Sequence, residues 1–243
     1  MTVFITGSSG ALGKQLKKKY PDCLSPSHQE LELGNRDQVS EYFKNHHEID
    51  IVIHAGALTG IRPCEENQSL AWKSNVEGTR NLVDAVMNSK QKIQFIYVST
   101  ACVFDGHHEM YKESSIPYPE NFYALTKLVG ESEVRKLPKF LILRTNFVAK
   151  EKWPYPKAFT DRFGTYLFAD GVAQGIYDVQ KEELTGIVHI VGDKKISIFE
   201  LAKITTPDVE PMTIEDYSGP KLTIDMSLDT ERWKKYKINS TKE

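Results

Sequence analysis

Tyr123 and Lys127 are a tyrosine and a lysine four residues apart, a pair whose types and spacing can do chemistry. On a helix, residues four apart share a face, so a phenol and an ammonium would stand side by side. A free phenol has a pKa of ~10, and a nearby positive charge makes it a better proton donor at neutral pH. The pair therefore suits proton transfer to an oxygen, although the same spacing also serves a solvated helix face. The neighbours that the chain supplies decide between the two.

Those neighbours read as strands alternating with helices. Thr2 to Thr6 is a short β-branched and aromatic run, followed by Gly7-Ser-Ser-Gly10-Ala-Leu-Gly13 and a helical pattern of Leu12, Leu16 and Tyr20. A glycine turn between strand and helix lets backbone amides face a pyrophosphate with no Cβ in the way. A second short strand is expected near Asp22 to Ser25, ahead of Pro26-Ser-His-Gln-Glu30. Folds that take NAD usually carry an acid at this strand end. None stands at Leu24 to His28, whereas Ser27 and His28 suit a 2′-phosphate, which favours NADP over NAD.

Leu31-Glu-Leu33 then leads into a helix carrying Val39, Tyr42 and Phe43. Asp50 to His54 is a nearly continuous apolar run, as in a strand buried on both faces. It ends in Ala55-Gly56-Ala57, whose small side chains leave room for a cofactor across the strand ends. Asn75 to Val86 is helical, and Asn75, a polar residue near its start, has a simple cap as its plainest alternative role. Ile93 to Val98 is the next buried strand, and it delivers the hydroxyls of Ser99 and Thr100 to where a substrate oxygen could be bonded. Together these segments predict a doubly wound parallel sheet.

At 243 residues the chain fits one large α/β domain, or a main domain with a small appendage. Its 31 basic and 33 acidic residues give a net charge of −2, with no basic stripe, which argues against nucleic acid as a partner. No apolar run approaches the ~20 residues of a membrane span, and the amino terminus lacks a signal-peptide layout. Cys23, Cys64 and Cys102 are too few and too scattered for a disulfide framework or a zinc site. A reduced, cytoplasmic protein with no metal is expected.

With the glycine turn, Asn75-Val-Glu-Gly-Thr, Ser99 to Gly106 and Tyr123 to Glu131 in order, the chain resembles the extended short-chain dehydrogenase/reductase family. Within it, the likeness is to the dTDP-4-dehydrorhamnose reductase branch, also at Leu31-Glu-Leu33, Leu143-Arg-Thr145 and Phe163 to Ala173. The resemblance implies a Rossmann-type NAD(P)-binding domain over residues 1–150. It also implies a small substrate-binding lobe over 151–243, interleaved with that domain. Thr100, Tyr123 and Lys127 correspond to the catalytic set. Gly7, Gly10, Ala11, Leu12, Gly13, Glu32, Leu33, Ala55, Gly56, Ala57 and Asn75 correspond to cofactor-facing positions, with Tyr123 and Lys127. The implied activity is NAD(P)H-dependent reduction of a 4-keto nucleotide sugar in deoxysugar biosynthesis, and a homodimer is left open.

Departures from the family pattern define the alternatives. Dehydratases of the family carry acids directly after the catalytic hydroxyl, where this chain has Ala101 and Cys102. Cys102 corresponds to the cysteine of bifunctional epimerase-reductases, or it is a small core residue. Arg62 is placed to meet a substrate phosphate or to be a loop charge. A non-enzymatic regulator similar to the regulatory subunit of methionine adenosyltransferase is the third alternative. Lys150 to Pro156 contains two prolines that make a helix improbable, so the lobe is abbreviated. Helices near Ala169 to Asp178 and Ser197 to Ala202 follow, the latter with a Ser197–Glu200 capping box, and a strand over Gly186 to Val191 packs His189. The tail from Ser240 is expected to fray.

Overall fold

The computed structural model describes residues 1–89 and 91–238. The first half runs β1 (Thr2–Thr6), α1 (Ala11–Lys19), α2 (Arg36–Asn45), β2 (Ile49–His54), α3 (Ile61–Glu66) and α4 (Gln68–Trp72). A π-helical turn, Lys73–Glu77, joins α4 to α5 (Gly78–Asn88), and β3 (Gln94–Thr100), α6 (Phe122–Val134) and β4 (Phe140–Thr145) follow. The second half contains β5 (Phe147–Val148), β6 (Lys157–Phe159), β7 (Phe163–Gly164), β8 (Leu167–Phe168) and α7 (Ala169–Lys181). It closes with β9 (Gly186–Ile190), β10 (Ile196–Ser197), α8 (Ile198–Thr205), β11 (Glu210–Met212) and β12 (Asp225–Met226).

The central sheet has the order β1-β2-β3-β4-β9, and every neighbouring pair is parallel. Side chains alternate across it, as period two requires. Val3, Ile5, Ile51, Ile53, Ile96 and Val98 meet Leu12 and Leu16 of α1 and Val172 and Ile176 of α7 on one face. Phe4, Val52, Phe95 and Tyr97 meet Val39 and Phe43 of α2, Leu82 and Val86 of α5 and Val134 of α6 on the other. Both faces are thus covered, which is why the strands read as continuous apolar runs.

The strand expected at Asp22 to Ser25 shrinks to one parallel bridge between Leu24 and Phe4. Leu24 exchanges two 2.8 Å hydrogen bonds with β1, donating to Val3 O and accepting from Ile5 N. Pro21 and Pro26 bracket it, and a proline has no N–H to extend a ladder. The bridge lies on the opposite side of β1 from β2. The chain therefore leaves β1 and β2 in opposite directions and opens a crevice at their carboxyl ends.

The second half returns β9 and α7 to this sheet and builds a smaller core beside it. There β7 lies between antiparallel β10 and parallel β12, while β6 pairs with β11 and β5 with β8. Cys102, Phe104, Tyr111, Tyr166, Phe168, Leu201, Met226 and Leu228 fill it. No helix forms between Lys150 and Pro156, and Ser197 and Glu200 make the capping box at the start of α8. The tail from Ser240 lies outside the described residues. No helix among the described residues is long and apolar enough to cross a membrane.

Helix α6 approaches β3 closely at Gly130, where a Cβ would come within 2.2 Å of the Tyr97 hydroxyl. Gly130→Ala should therefore push α6 off the sheet and lower the unfolding free energy by about 1–3 kcal/mol. Gly171→Ala is the control, because a Cβ on this α7 residue meets only Leu167 atoms at 3.6 and 3.7 Å. It should be neutral, or stabilising by up to ~1 kcal/mol. Urea denaturation of both variants checks the contrast.

Candidate active site

Two adjoining cavities, of about 400 and 520 Å³, cross the carboxyl ends of β1 and β2 and share Gly7, Ser9, Gly56 and Ala57. The first is bordered by Ser27, His28, Glu32, Leu33 and Lys73. The second is bordered by Gly10 to Gly13, Ala55, Thr100, Cys102, Tyr123 and Lys127. Of the positions expected to face a dinucleotide, Asn75 alone borders neither.

The floor between the cavities is bare backbone. Gly7 takes φ +70°, and a Cβ on it would lie 2.7 Å from Gly56 N, so only glycine lets the two strand ends meet. Helix α1 begins at Gly10 with no capping side chain and no acid in its first turn. Its first intrahelical bond is from Lys14 N to Gly10 O. The amides of Ala11, Leu12 and Gly13 are therefore left for an anion at the helix start. At the far end Glu32 is held by Lys73 at 2.5 Å, so the acid there already has a counter-ion beside Ser27 and His28. These residues fit a pyrophosphate at α1 and a phosphorylated ribose at Ser27 and His28.

Behind the floor runs a buried chain of hydrogen bonds. Gly56 N donates to Thr6 Oγ1 at 3.0 Å, Thr6 Oγ1 meets His54 Nδ1 at 2.6 Å, and His54 Nε2 meets Thr79 Oγ1 at 2.9 Å. Thr79 donates to Asn75 O, Asn75 Nδ2 to Thr126 Oγ1, and Thr126 to Tyr123 O, at 2.6, 3.0 and 2.7 Å. Because the Thr79 proton is committed to Asn75, its oxygen accepts from His54, which fixes the Nε2–H tautomer. His54 Nδ1 then accepts from Thr6. Burial, aided by the charge of Lys127, pushes the His54 pKa down to about 3 and keeps the ring neutral.

Asn75 is therefore not a helix cap. It sits inside the π turn, where its amide also donates to Leu58 O at 3.0 Å and accepts from Leu58 N at 2.7 Å. The π turn widens the helix by one residue, and Asn75 fastens the loop after β2 to α6.

Asn121 caps α6 by accepting from Ala124 N, and Tyr123, Lys127 and Glu131 follow on successive turns of one face. Thr100 ends β3, and its side-chain oxygen accepts a 3.2 Å bond from Cys102 N. The spacing alone expects Lys127 to draw the Tyr123 phenol down. Burial wins instead, and the thiols of Cys102 and Cys64 add to it, so the phenol lies well above its usual range, with only Thr100 opposing. Burial likewise pushes Lys127 down to about 7 against the pull of Glu131. Its Nζ sits 4.1 Å over the Tyr97 ring.

Glu131 and Arg144 are fully buried and joined by two bonds, Nε to Oε1 at 2.9 Å and Nη2 to Oε2 at 2.7 Å. Ser99, expected beside Thr100 at the substrate, gives its proton to Glu131 Oε1 at 2.6 Å instead. The sequence reading missed this pair and the Thr6–His54–Thr79 chain. An arginine within the apolar run Phe140 to Thr145 was the available signal, since a buried parallel strand tolerates one only with a partner. Arg62 is exposed, donates to Ser218 O at 3.2 Å and borders neither cavity. Cys102 borders the second cavity, with its sulfur 3.4 Å from Met226 Sδ.

A glycine-floored crevice in a doubly wound sheet, with Thr100, Tyr123 and Lys127 at one end, defines the class of extended short-chain dehydrogenase/reductases. Residues 1–217 match the family model "RmlD substrate binding domain", and the chain belongs to that family. A dTDP-4-dehydrorhamnose reductase of Aggregatibacter actinomycetemcomitans is 27% identical over 230 residues, covering 82% of this chain and 76% of the relative. The crystal structure of dTDP-4-dehydrorhamnose reductase from Bacillus anthracis in complex with NADP superposes with a TM-score of 0.85 at 25% identity, over 94% of this chain and 90% of that one. Methionine adenosyltransferase 2 subunit beta of Xenopus laevis is 33% identical over 144 residues, 54% of this chain and 41% of its own.

The depressed Lys127 pKa makes stability depend on pH. Between about 7 in the folded state and ~10.4 unfolded, the unfolded chain binds more protons, so stability rises with pH through that window. Burying Lys127 is thus most unfavourable below pH 7. Lys127→Met should raise the unfolding free energy at pH 6 by on the order of 3 kcal/mol and do little at pH 10. Equal effects at both pH values, measured in urea, would contradict this burial.

Proposed function

We propose that the chain reduces the 4-keto group of a nucleotide sugar with NADPH, in the manner of a dTDP-4-dehydrorhamnose reductase of deoxysugar biosynthesis. The observation that carries this reading is the convergence of Thr100, Tyr123 and Lys127 on the cavity that continues from the glycine floor. The named relatives and the family membership support it. Residues 1–150 hold the dinucleotide, and the segment from 151 on supplies the sugar-side wall. NADPH rather than NADH fits the Ser27, His28 and Lys73 end of the crevice. Three unpaired thiols suit a reducing cytoplasm.

When bound, the cofactor supplies the hydride. The protein's part is the proton. Thr100, which borders the cavity beside Tyr123, offers its rotatable hydroxyl to the carbonyl oxygen. Tyr123 stays protonated through the neutral range because burial holds its pKa up, so it meets the ketone as an acid and donates to the same oxygen. Lys127, with a pKa of about 7 that Glu131 pulls upward, offers an ammonium to the phenolate left behind.

Tyr123→Phe should lower kcat by about 10²- to 10⁴-fold. Assayed by NADPH oxidation with dTDP-4-dehydrorhamnose and a panel of other 4-keto nucleotide sugars, unchanged turnover in this variant would refute the mechanism. A second reading, a subunit that binds these ligands without turnover, draws support from the methionine adenosyltransferase relative. Cofactor binding with no oxidation across the panel would favour it. Running the panel in heavy water reads the Cys102 alternative, because an epimerase-reductase would place deuterium beside the former ketone and Cys102→Ala would abolish that label.

A further inference from the structure

The cleft wall next to Cys102 contains a hydroxyl that no described residue engages. Tyr166, between β7 and β8, is 5% exposed and borders the cavity shared with Thr100, Cys102 and Tyr123. Its phenol oxygen has no hydrogen-bond partner among the described residues. Buried tyrosines ordinarily find one, and an orphaned hydroxyl opposes folding.

This ring is also built into place. It lies over Gly164, where a Cβ would come within 2.6 Å of its terminal carbon. Thr165 exchanges two 3.0 Å bonds with Leu228, from Thr165 Oγ1 to Leu228 O and from Leu228 N to Thr165 Oγ1. Gly192 N adds a 3.0 Å bond to Thr165 O, and Leu167 N one of 3.0 Å to Asn146 O. The backbone on both sides is thereby fixed, and the ring projects from it across Gly164.

The charged neighbours are already committed. Arg162 donates from Nε to Thr223 O, and its Nη2 lies 3.7 Å from Met226 Sδ. Asp225 accepts from Ser227 and Lys195. The rest of this wall is soft, with the Cys102 and Met226 sulfurs facing each other. One further orphan stands in the same cavity, the hydroxyl of Thr145, which is paired in register with Thr100 on the neighbouring strand.

We propose that Tyr166 is a specificity-determining residue whose hydroxyl bonds a ring hydroxyl on the carbon beside the substrate ketone. This rests on the reading that the cleft takes a 4-keto sugar. Thr100 and Tyr123 hold the carbonyl oxygen, and the orphaned phenol on the wall of the same cavity takes the adjacent hydroxyl. A preplaced buried group of this kind rejects analogues that leave it unpaired.

Calorimetry with NADP-loaded protein tests it, using dTDP-4-dehydrorhamnose and its 3-deoxy analogue against the wild type and Tyr166→Phe. The expected result is an approximately tenfold weaker binding of the hydroxylated sugar by the variant, with the 3-deoxy analogue bound alike by both proteins. The thermal midpoint of the variant should be unchanged or higher, since no partner inside the protein is lost. Equal losses for both sugars, no loss for either, or a lowered midpoint would overturn the assignment while leaving the reductase reading intact. Failure of the wild type to bind either sugar would overturn both.

Discussion

The hydrogen-bond chain from Gly56 N through Thr6, His54, Thr79, Asn75 and Thr126 to Tyr123 O ties the glycine floor of the crevice to the helix that carries Tyr123. Its polarity runs one way, and only a neutral histidine with its proton on Nε2 satisfies every member. Each such bond contributes a net ~0.5–1.5 kcal/mol, but breaking one strands buried groups at ~1–3 kcal/mol apiece. The stronger consequence is geometric. The glycine turn, the loop after β2, the π turn and α6 cannot shift independently, so a nicotinamide and a carbonyl resting against them would be held in one relation.

A second buried device sets the charge. Arg144 and Glu131 neutralise each other, and Glu131 stands one turn beyond Lys127. Removing either partner would leave an unpaired charge in the core and cost about 3–5 kcal/mol. The remaining field of Glu131 resists the desolvation of Lys127, leaving that lysine near the middle of its titration at neutral pH. On the proposed mechanism the protein accepts a poorly solvated lysine in exchange for an ammonium that responds to charge forming on Tyr123. Stability and chemistry oppose each other at this residue.

Much of this was legible in the sequence, for reasons that differ by element. The runs Thr2–Thr6, Asp50–His54 and Phe140–Thr145 announce a doubly wound sheet because a strand covered on both faces must be apolar throughout. The glycine spacing locates the floor, since only glycine allows Gly7 and Gly56 to meet. The Leu24 strand was overestimated because flanking prolines truncate an edge that periodicity cannot see. The plain alternative for Asn75, a helix cap, fails because the residue lies inside a π turn, which leaves no clear periodic trace. Ser99 and Glu131 lie 32 positions apart, so only the folded chain shows that one hydroxyl of the Ser99–Thr100 pair is spent inside the core. Tyr166 falls in the same category, because its orphaned hydroxyl is defined by what does not surround it.

On the proposed mechanism the glycine floor and the Tyr123 helix bring a hydride donor and a ketone together. Its most direct test uses NADPH deuterated at the transferable position of the nicotinamide, turned over with dTDP-4-dehydrorhamnose and followed by NMR of the sugar product. The predicted result is one deuterium per turnover on the former ketone carbon, with none on its neighbours. Bound sugar and bound cofactor with no label on that carbon would rule out this hydride transfer.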